Sequence, residues 1–169
     1  YFHAVAGVIF SASHNPPDHN GKKVYDEFGG QLIPPEDEEL VIEVTERVRD
    51  IKEMTYEEAA SRGFIVEIDE AFDEKYTQAA AAVSLSHERN VEIVYTSLHG
   101  CGMTSVYKAL KNLGFRVLRD PNTSNPSGRF ENITFNIPNP EVFQSFDTTL
   151  KFAKEKKADL ILSSDPDAD

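Results

Sequence analysis

Between residues 91 and 163, short apolar segments alternate with longer segments whose apolar residues recur at helical spacing. The alternation predicts strands at Val91–Thr96, Phe115–Arg119 and Asp159–Ser163, and helices at Met103–Leu113 and Glu141–Lys157. Parallel sheets are built in this order, because each helix carries the chain back to start the next strand in the same direction. The sequence therefore predicts a three-layer α/β/α domain with a mainly parallel sheet over residues 76–169.

The first part of the chain follows a different pattern. Strands are predicted at Gly7–Ala12 and Lys23–Phe28, and an acidic helix with one apolar face is predicted over residues 36–51. Two strands and one helix make a poor domain alone, since a two-stranded ribbon is marginally stable. We therefore interpret residues 1–55 as the C-terminal part of a partial, mixed-sheet domain, and residues 56–75 as a connecting segment.

Charge and composition exclude several classes of protein. The formal net charge is −12, which argues against broad contact with nucleic-acid phosphates. Residues 36–75 carry 15 acids and 5 bases, a pattern typical of solvated helix faces. No apolar run approaches the ~20 residues that a membrane span needs. The one cysteine, Cys101, excludes an intrachain disulfide and favours a reducing compartment such as the cytoplasm.

The two ends of the sequence predict that it comes from a longer protein. Tyr1 is not a methionine, and Asp169 lies inside an acidic motif. We therefore expect further domains in the parent protein. Without them, the edges of the two N-terminal strands are expected to favour pairing with a second copy of the chain.

An acidic motif directly follows the last predicted strand. Asp165, Asp167 and Asp169 alternate with small residues, so several carboxylates converge on one loop. Such carboxylates repel one another unless a cation lies among them. A calcium EF-hand loop would need a preceding helix, whereas oxygen ligands combined with phosphate favour Mg²⁺. An acidic surface turn without metal is the structural alternative.

A second motif, Ser11–Pro16, lies at the end of the first predicted strand and places Ser13 beside His14 and Asn15. The Asn-Gly turn after it could fold Lys23 back over the loop. A hydroxyl between an imidazole and a cation suits phosphoryl transfer, which needs proton transfer and charge compensation. A plain turn is the alternative.

A glycine-containing turn, Leu98–Gly102, joins the strand ending at Thr96 to the helix after it. With Asp120 after the next strand, it is similar to a dinucleotide-binding fingerprint, but Ser105 stands where the third glycine belongs. A structural tight turn is therefore favoured. His99 suits a packed histidine as well as a ligand.

Together these motifs resemble the α-D-phosphohexomutase family, which includes phosphoglucomutases and phosphomannomutases. The resemblance rests on four ordered segments that span nearly the whole chain: Ser11–Pro17 with Asn20–Tyr25, Tyr95–Gly100, Pro138–Glu141 with Ala158–Ile161, and Asp165–Asp169.

The resemblance implies a role for each motif. Ser13 would carry a phosphoryl group, with His14 and Asn15 lining the phosphate site. Asp165, Asp167 and Asp169 would bind Mg²⁺ jointly with that group on Ser13, and Lys23 would transfer a proton. The implied substrate is a sugar phosphate of the glucose 1-phosphate class, whose phosphate moves between the C1 and C6 hydroxyls through a bisphosphate.

The resemblance covers the end of the first and most of the second of four domains. The family's sugar-reading Gly-Glu-x-Ser-Gly loop and its C-terminal phosphate-binding domain do not occur in this sequence, and Thr123–Phe135 departs from the family pattern. We therefore expect the 169 residues alone to be inactive.

Two other functions remain open on the residues alone. A nucleotide-binding or regulatory α/β module could be built on the glycine turn and Asp120. A phosphoacceptor signalling domain would also combine Mg²⁺ with acidic residues, but it would carry its phosphate on an aspartate.

Overall fold

The computed structural model describes all 169 residues, which form two compact units. The first unit contains residues 1–10 and 22–68, and the second contains residues 11–21 and 69–169. By their contacts, residues 11–21 group with the second unit. This segment carries the Ser13 motif.

In the first unit, strand β1 (Gly7–Phe10) pairs antiparallel with strand β2 (Lys22–Tyr25). Helix α1 spans Glu36–Ile42 and continues as a π-helical turn over Glu43–Arg47. The predicted helix extended to residue 51, but the backbone is already extended at Val48. Its apolar side chains are largely exposed, and a short helix without packing has little to sustain further turns.

The sequence interpretation missed a short helix in the segment between the two predicted domains. Helix α2 spans Tyr56–Ser61, and the side chain of Thr55 accepts a hydrogen bond from the backbone N–H of Glu58 at 3.1 Å. Thr55 and Glu58 have the spacing of a capping box, which marks the start of a helix. The sequence therefore carries a signal for the start of this helix, although the helix itself is only six residues long.

The second unit contains the predicted parallel sheet. Its strands are β3 (Glu92–Thr96), β4 (Arg116–Arg119) and β5 (Leu160–Ser163), in the spatial order β4-β3-β5. Both pairings are parallel, so the predicted α/β class is confirmed. The central strand β3 is the best buried, since Ile93, Val94 and Tyr95 are at most 2% exposed.

Helices α4 (Val106–Asn112) and α5 (Asp147–Lys156) flank this sheet, and helix α3 (Glu70–Ala81) precedes it in the chain. Ile93 and Tyr95 pack beneath α4 on one face, and Val94 between them points to the opposite face. Helices α3 and α4 contact each other, while α5 contacts β3 and β5. None of the helices of either unit is long and apolar enough to cross a membrane.

Helix α5 begins later than the sequence predicts. The predicted start was Glu141, but its backbone N–H bonds to the side chain of Asn139 at 2.8 Å, and Val142 N–H bonds to the Asn139 carbonyl at 3.0 Å. These bonds close a turn in place of the first helical turn. A 3₁₀ turn then leads into α5 at Asp147.

Candidate functional site

The candidate site lies at the carboxyl ends of β3 and β5, where a parallel sheet gathers its functional loops. β5 ends at Ser163, and the acidic motif begins two residues later. Asp165 is only 2% exposed. Its Oδ1 accepts backbone N–H groups from Asp167 at 3.2 Å and from Asp169 at 3.0 Å, so this carboxylate shapes the loop that carries the other two.

The three aspartates among the predicted metal ligands lie close together. Asp165, Asp167 and Asp169 each offer a carboxylate oxygen, and these oxygens all lie within 4.8 Å of one another. Hard oxygen donors in such a set fit Mg²⁺, which commonly takes a few carboxylates together with phosphate oxygens. The residues could therefore hold a divalent cation.

The loop of residues 11–21 brings Ser13 to this acidic loop. Ser13 Oγ donates to Oδ2 of Asp165 at 2.5 Å and lies 3.3 Å from Nδ1 of His14. The same imidazole nitrogen is 3.5 Å from Asp165 Oδ2, and the His14 side chain is 45% exposed. A hydroxyl, an imidazole and a buried carboxylate thus meet at one point, with access from solvent.

Asn15 and Lys23, the other two predicted site residues, lie in different units. Asn15 is exposed, and its backbone N–H closes a turn on the carbonyl of Ala12 at 3.1 Å. Lys23 lies on β2 of the first unit, opposite Ile9.

The Ser13 loop is closed at its base by the Ser11 N–H, which donates to the Gly21 carbonyl at 3.1 Å. A Cβ at residue 21 would collide with the Ser11 carbonyl, so this closure requires glycine.

The glycine turn after β3 supports the acidic loop. The Cys101 N–H donates to the carbonyl of Pro166 at 3.0 Å, and a Cβ on Gly100 would overlap the Pro166 backbone. A Cβ on Gly102 would collide with the Tyr95 hydroxyl. The turn is therefore structural, as favoured from the sequence. Gly100 lets the two loops pack backbone to backbone, and Gly102 leaves room for the Tyr95 hydroxyl.

Two titratable groups beside this turn are held in their neutral forms. Burial raises the pKa of Tyr95, whose hydroxyl shares a 2.7 Å hydrogen bond with Ser164 Oγ. Burial also raises the pKa of the Cys101 thiol, and the charges of Asp167 and Asp165 raise it further. Cys101 therefore lacks the thiolate character of a catalytic nucleophile.

Gly100→Ala is expected to separate the glycine turn from the acidic loop. The added methyl group would overlap backbone atoms that cannot rotate away, so we expect a loss of about 3 kcal/mol in the free energy of unfolding. Urea unfolding monitored by circular dichroism measures this loss. Gly128→Ala is the matched control, because no atom lies within 4 Å of its added Cβ. Equal free energies of unfolding for the two variants would contradict a supporting role of Gly100 for the acidic loop.

His99 is a packed histidine, and Asp120 is not available to a ligand. The ring nitrogens of His99 lie 2.7 Å from the Asn125 carbonyl and 2.5 Å from the Glu131 carbonyl, which pins the long loop after β4. Asp120 is fully buried, and its Oδ2 accepts the hydroxyls of Thr123 at 2.9 Å and Thr149 at 2.5 Å. The nucleotide-binding alternative needed the Asp120 carboxylate to bind a ligand. Because this carboxylate is buried and hydrogen-bonded within the protein, the structure argues against that alternative.

Comparison with known proteins identifies the family of the chain. A family model described as phosphoglucomutase/phosphomannomutase, alpha/beta/alpha domain II, matches residues 73–169, and the corresponding domain I model matches residues 1–50. The chain belongs to the phosphoglucomutase/phosphomannomutase family.

Individual relatives match all or nearly all of the chain. A Haemophilus influenzae protein named "Probable phosphomannomutase" is 36% identical over 179 residues, which cover 100% of this chain and 34% of that protein. A phosphoglucomutase of Staphylococcus saprophyticus is 32% identical, covering 97% of this chain and 30% of that protein. The chain therefore spans about a third of the length of these relatives.

A solved structure supports the fold. The crystal structure of a phosphoglucomutase/phosphomannomutase family protein from Burkholderia thailandensis matches with a TM-score of 0.68 at 17% identity. The match covers 96% of this chain and 31% of that one.

Proposed function

We propose that this chain is part of a Mg²⁺-dependent phosphohexomutase, which interconverts hexose 1-phosphate and hexose 6-phosphate through a phosphoserine and a bisphosphorylated sugar. The observation that carries the proposal is the 2.5 Å contact between Ser13 Oγ and Asp165, within a cluster of three carboxylates. The printed names of the relatives, phosphomannomutase and phosphoglucomutase, agree with it.

Ser13 Oγ is the atom that would exchange the phosphoryl group. In the first half-reaction, the bond from phosphorus to Ser13 Oγ breaks, a bond to a sugar hydroxyl oxygen forms, and the hydroxyl proton passes to the protein. In the second, the other phosphate of the bisphosphate returns to Ser13 Oγ, and a proton returns to the departing sugar oxygen. Atoms and charge balance over the cycle without a further reactant.

The surrounding side chains would supply charge and protons. Asp165, Asp167 and Asp169 would hold Mg²⁺, which when bound neutralises negative charge on the phosphoryl oxygens. His14, 3.3 Å from Ser13 Oγ, lies close enough to donate a hydrogen bond to a phosphoryl oxygen on Ser13. Lys23 is the residue that the family resemblance assigns to proton transfer with the sugar.

The rest of the parent protein would be needed to hold the sugar. Transfer between two ends of one substrate requires both ends to be held in line, a contribution of roughly 7–11 kcal/mol when fully realised. The chain spans about a third of its relatives and has no counterpart of the family's sugar-reading loop. We therefore infer that the 169 residues alone are inactive.

The test is an assay of the full-length protein and of the 169-residue chain, with glucose 1-phosphate, Mg²⁺ and a glucose bisphosphate activator. We expect the full-length protein to form glucose 6-phosphate and the shorter chain to form none above background. Turnover by the shorter chain at the full-length rate would contradict the inference that the rest of the parent protein holds the sugar. Failure of the full-length protein on both glucose and mannose phosphates would contradict the mutase assignment.

A further inference from the structure

Ser11 connects the Ser13 loop to the acidic loop. Its hydroxyl donates to Oδ2 of Asp167 at 3.0 Å and accepts the backbone N–H of Ser13 at 2.9 Å. Its own backbone N–H is held by the Gly21 carbonyl at 3.1 Å. One small side chain therefore contacts both loops from a fixed position.

The backbone of Ser13 needs such support. Its φ is +54°, in the left-handed region that residues with a Cβ rarely adopt. In this conformation Ser13 Oγ reaches Asp165, 152 residues further along the chain. The hydrogen bond from the Ser13 N–H to Ser11 Oγ holds the strained residue in place.

We propose that Ser11 is a positioning residue, which sets the phosphoryl-carrying Ser13 against the metal-binding loop. The inference rests on the proposed function. A hydroxyl can donate one hydrogen bond and accept another at the same time, and this site uses both capacities. Ser11 touches neither substrate nor metal in this role, because it acts through Asp167 and through the backbone of Ser13.

The expected consequence is a weaker metal site when the hydroxyl is lost. Asp167 would no longer be oriented before the cation arrives, so binding would have to order it. Residues that orient metal ligands typically contribute 10–100-fold to metal affinity. The Ser13 N–H would also lose its partner, which would loosen the left-handed conformation.

The experiment compares Ser11→Val with Ser11→Thr in the full-length protein, because these side chains have the same shape and only threonine keeps the hydroxyl. Isothermal titration with Mg²⁺ alone measures the affinity. We expect Ser11→Val to bind at least about tenfold more weakly than the parent, and Ser11→Thr to stay within about threefold of it. Ser11→Ala gives the same comparison with a smaller side chain if valine disturbs folding, which urea unfolding monitors.

Equal Mg²⁺ affinity of the Val, Ala and Thr variants would overturn the inference. A Ser13→Ala variant assayed in parallel separates this outcome from failure of the proposed function. If Ser13→Ala is inactive while the Ser11 variants all bind Mg²⁺ like the parent, only the role of Ser11 is wrong. If Ser13→Ala is fully active, the proposed function is wrong as well.

Discussion

Ser13→Ala in the full-length protein is expected to lower kcat by at least about a thousandfold, as is typical when a nucleophile is removed. The substitution removes only the hydroxyl group, and alanine leaves no oxygen to accept the phosphoryl group. Steady-state assay with glucose 1-phosphate, Mg²⁺ and a bisphosphate activator measures the loss. Ser13 is half-buried in a loop, so we expect the protein to remain folded.

Ser84→Ala is the matched control for this change, since it removes an exposed hydroxyl in the loop after α3 of the same unit. Its kcat is expected to equal that of the parent. A Ser13→Ala variant with full turnover and parent-like circular dichroism would show that the phosphoryl group is carried elsewhere.

Asp165→Asn is expected to weaken Mg²⁺ binding by about a hundredfold or more, since even residues that only orient metal ligands contribute 10–100-fold. The amide oxygen can still accept the N–H groups of Asp167 and Asp169, so the shape of the loop is retained. The charge is lost, and an amide nitrogen replaces one of the two oxygens. Isothermal titration of the full-length protein with Mg²⁺ measures the change.

Asp159→Asn is the corresponding control at the other end of β5. Its Oδ2 accepts the Glu92 N–H at 2.8 Å, a bond that the amide oxygen of asparagine can also accept. We expect this variant to bind Mg²⁺ like the parent. The three-carboxylate site would be wrong if Asp165→Asn bound Mg²⁺ as tightly as the Asp159 variant.

The fold of the second unit could be predicted because its signals are local. Strand β3 is a short apolar run, and the turn at Gly114, with a φ of +87°, ends the helix before β4. Parallel pairing follows from the order of the elements, and the meeting of strand ends follows from parallel pairing. The convergence of the three aspartates could be predicted separately, because they alternate within five residues of one loop after β5.

The link from Ser11 to Asp167 could not be predicted in this way. These residues are 156 positions apart, and a hydrogen bond across that separation leaves no periodicity or spacing in the sequence. The packing of residues 11–21 with the second unit is long-range for the same reason. The glycine turn was expected to be structural, but its partner, the backbone of Pro166, could be identified only in three dimensions.

The position of the phosphoryl group tests the central claim most directly. The full-length protein would be incubated with glucose 1,6-bisphosphate and Mg²⁺, digested with trypsin and mapped by tandem mass spectrometry. The account predicts a phosphate on Ser13, in the peptide that ends at Lys22, and none in the same peptide of the Ser13→Ala variant. An unmodified Ser13 together with a phosphate on an aspartate or on another serine would contradict it.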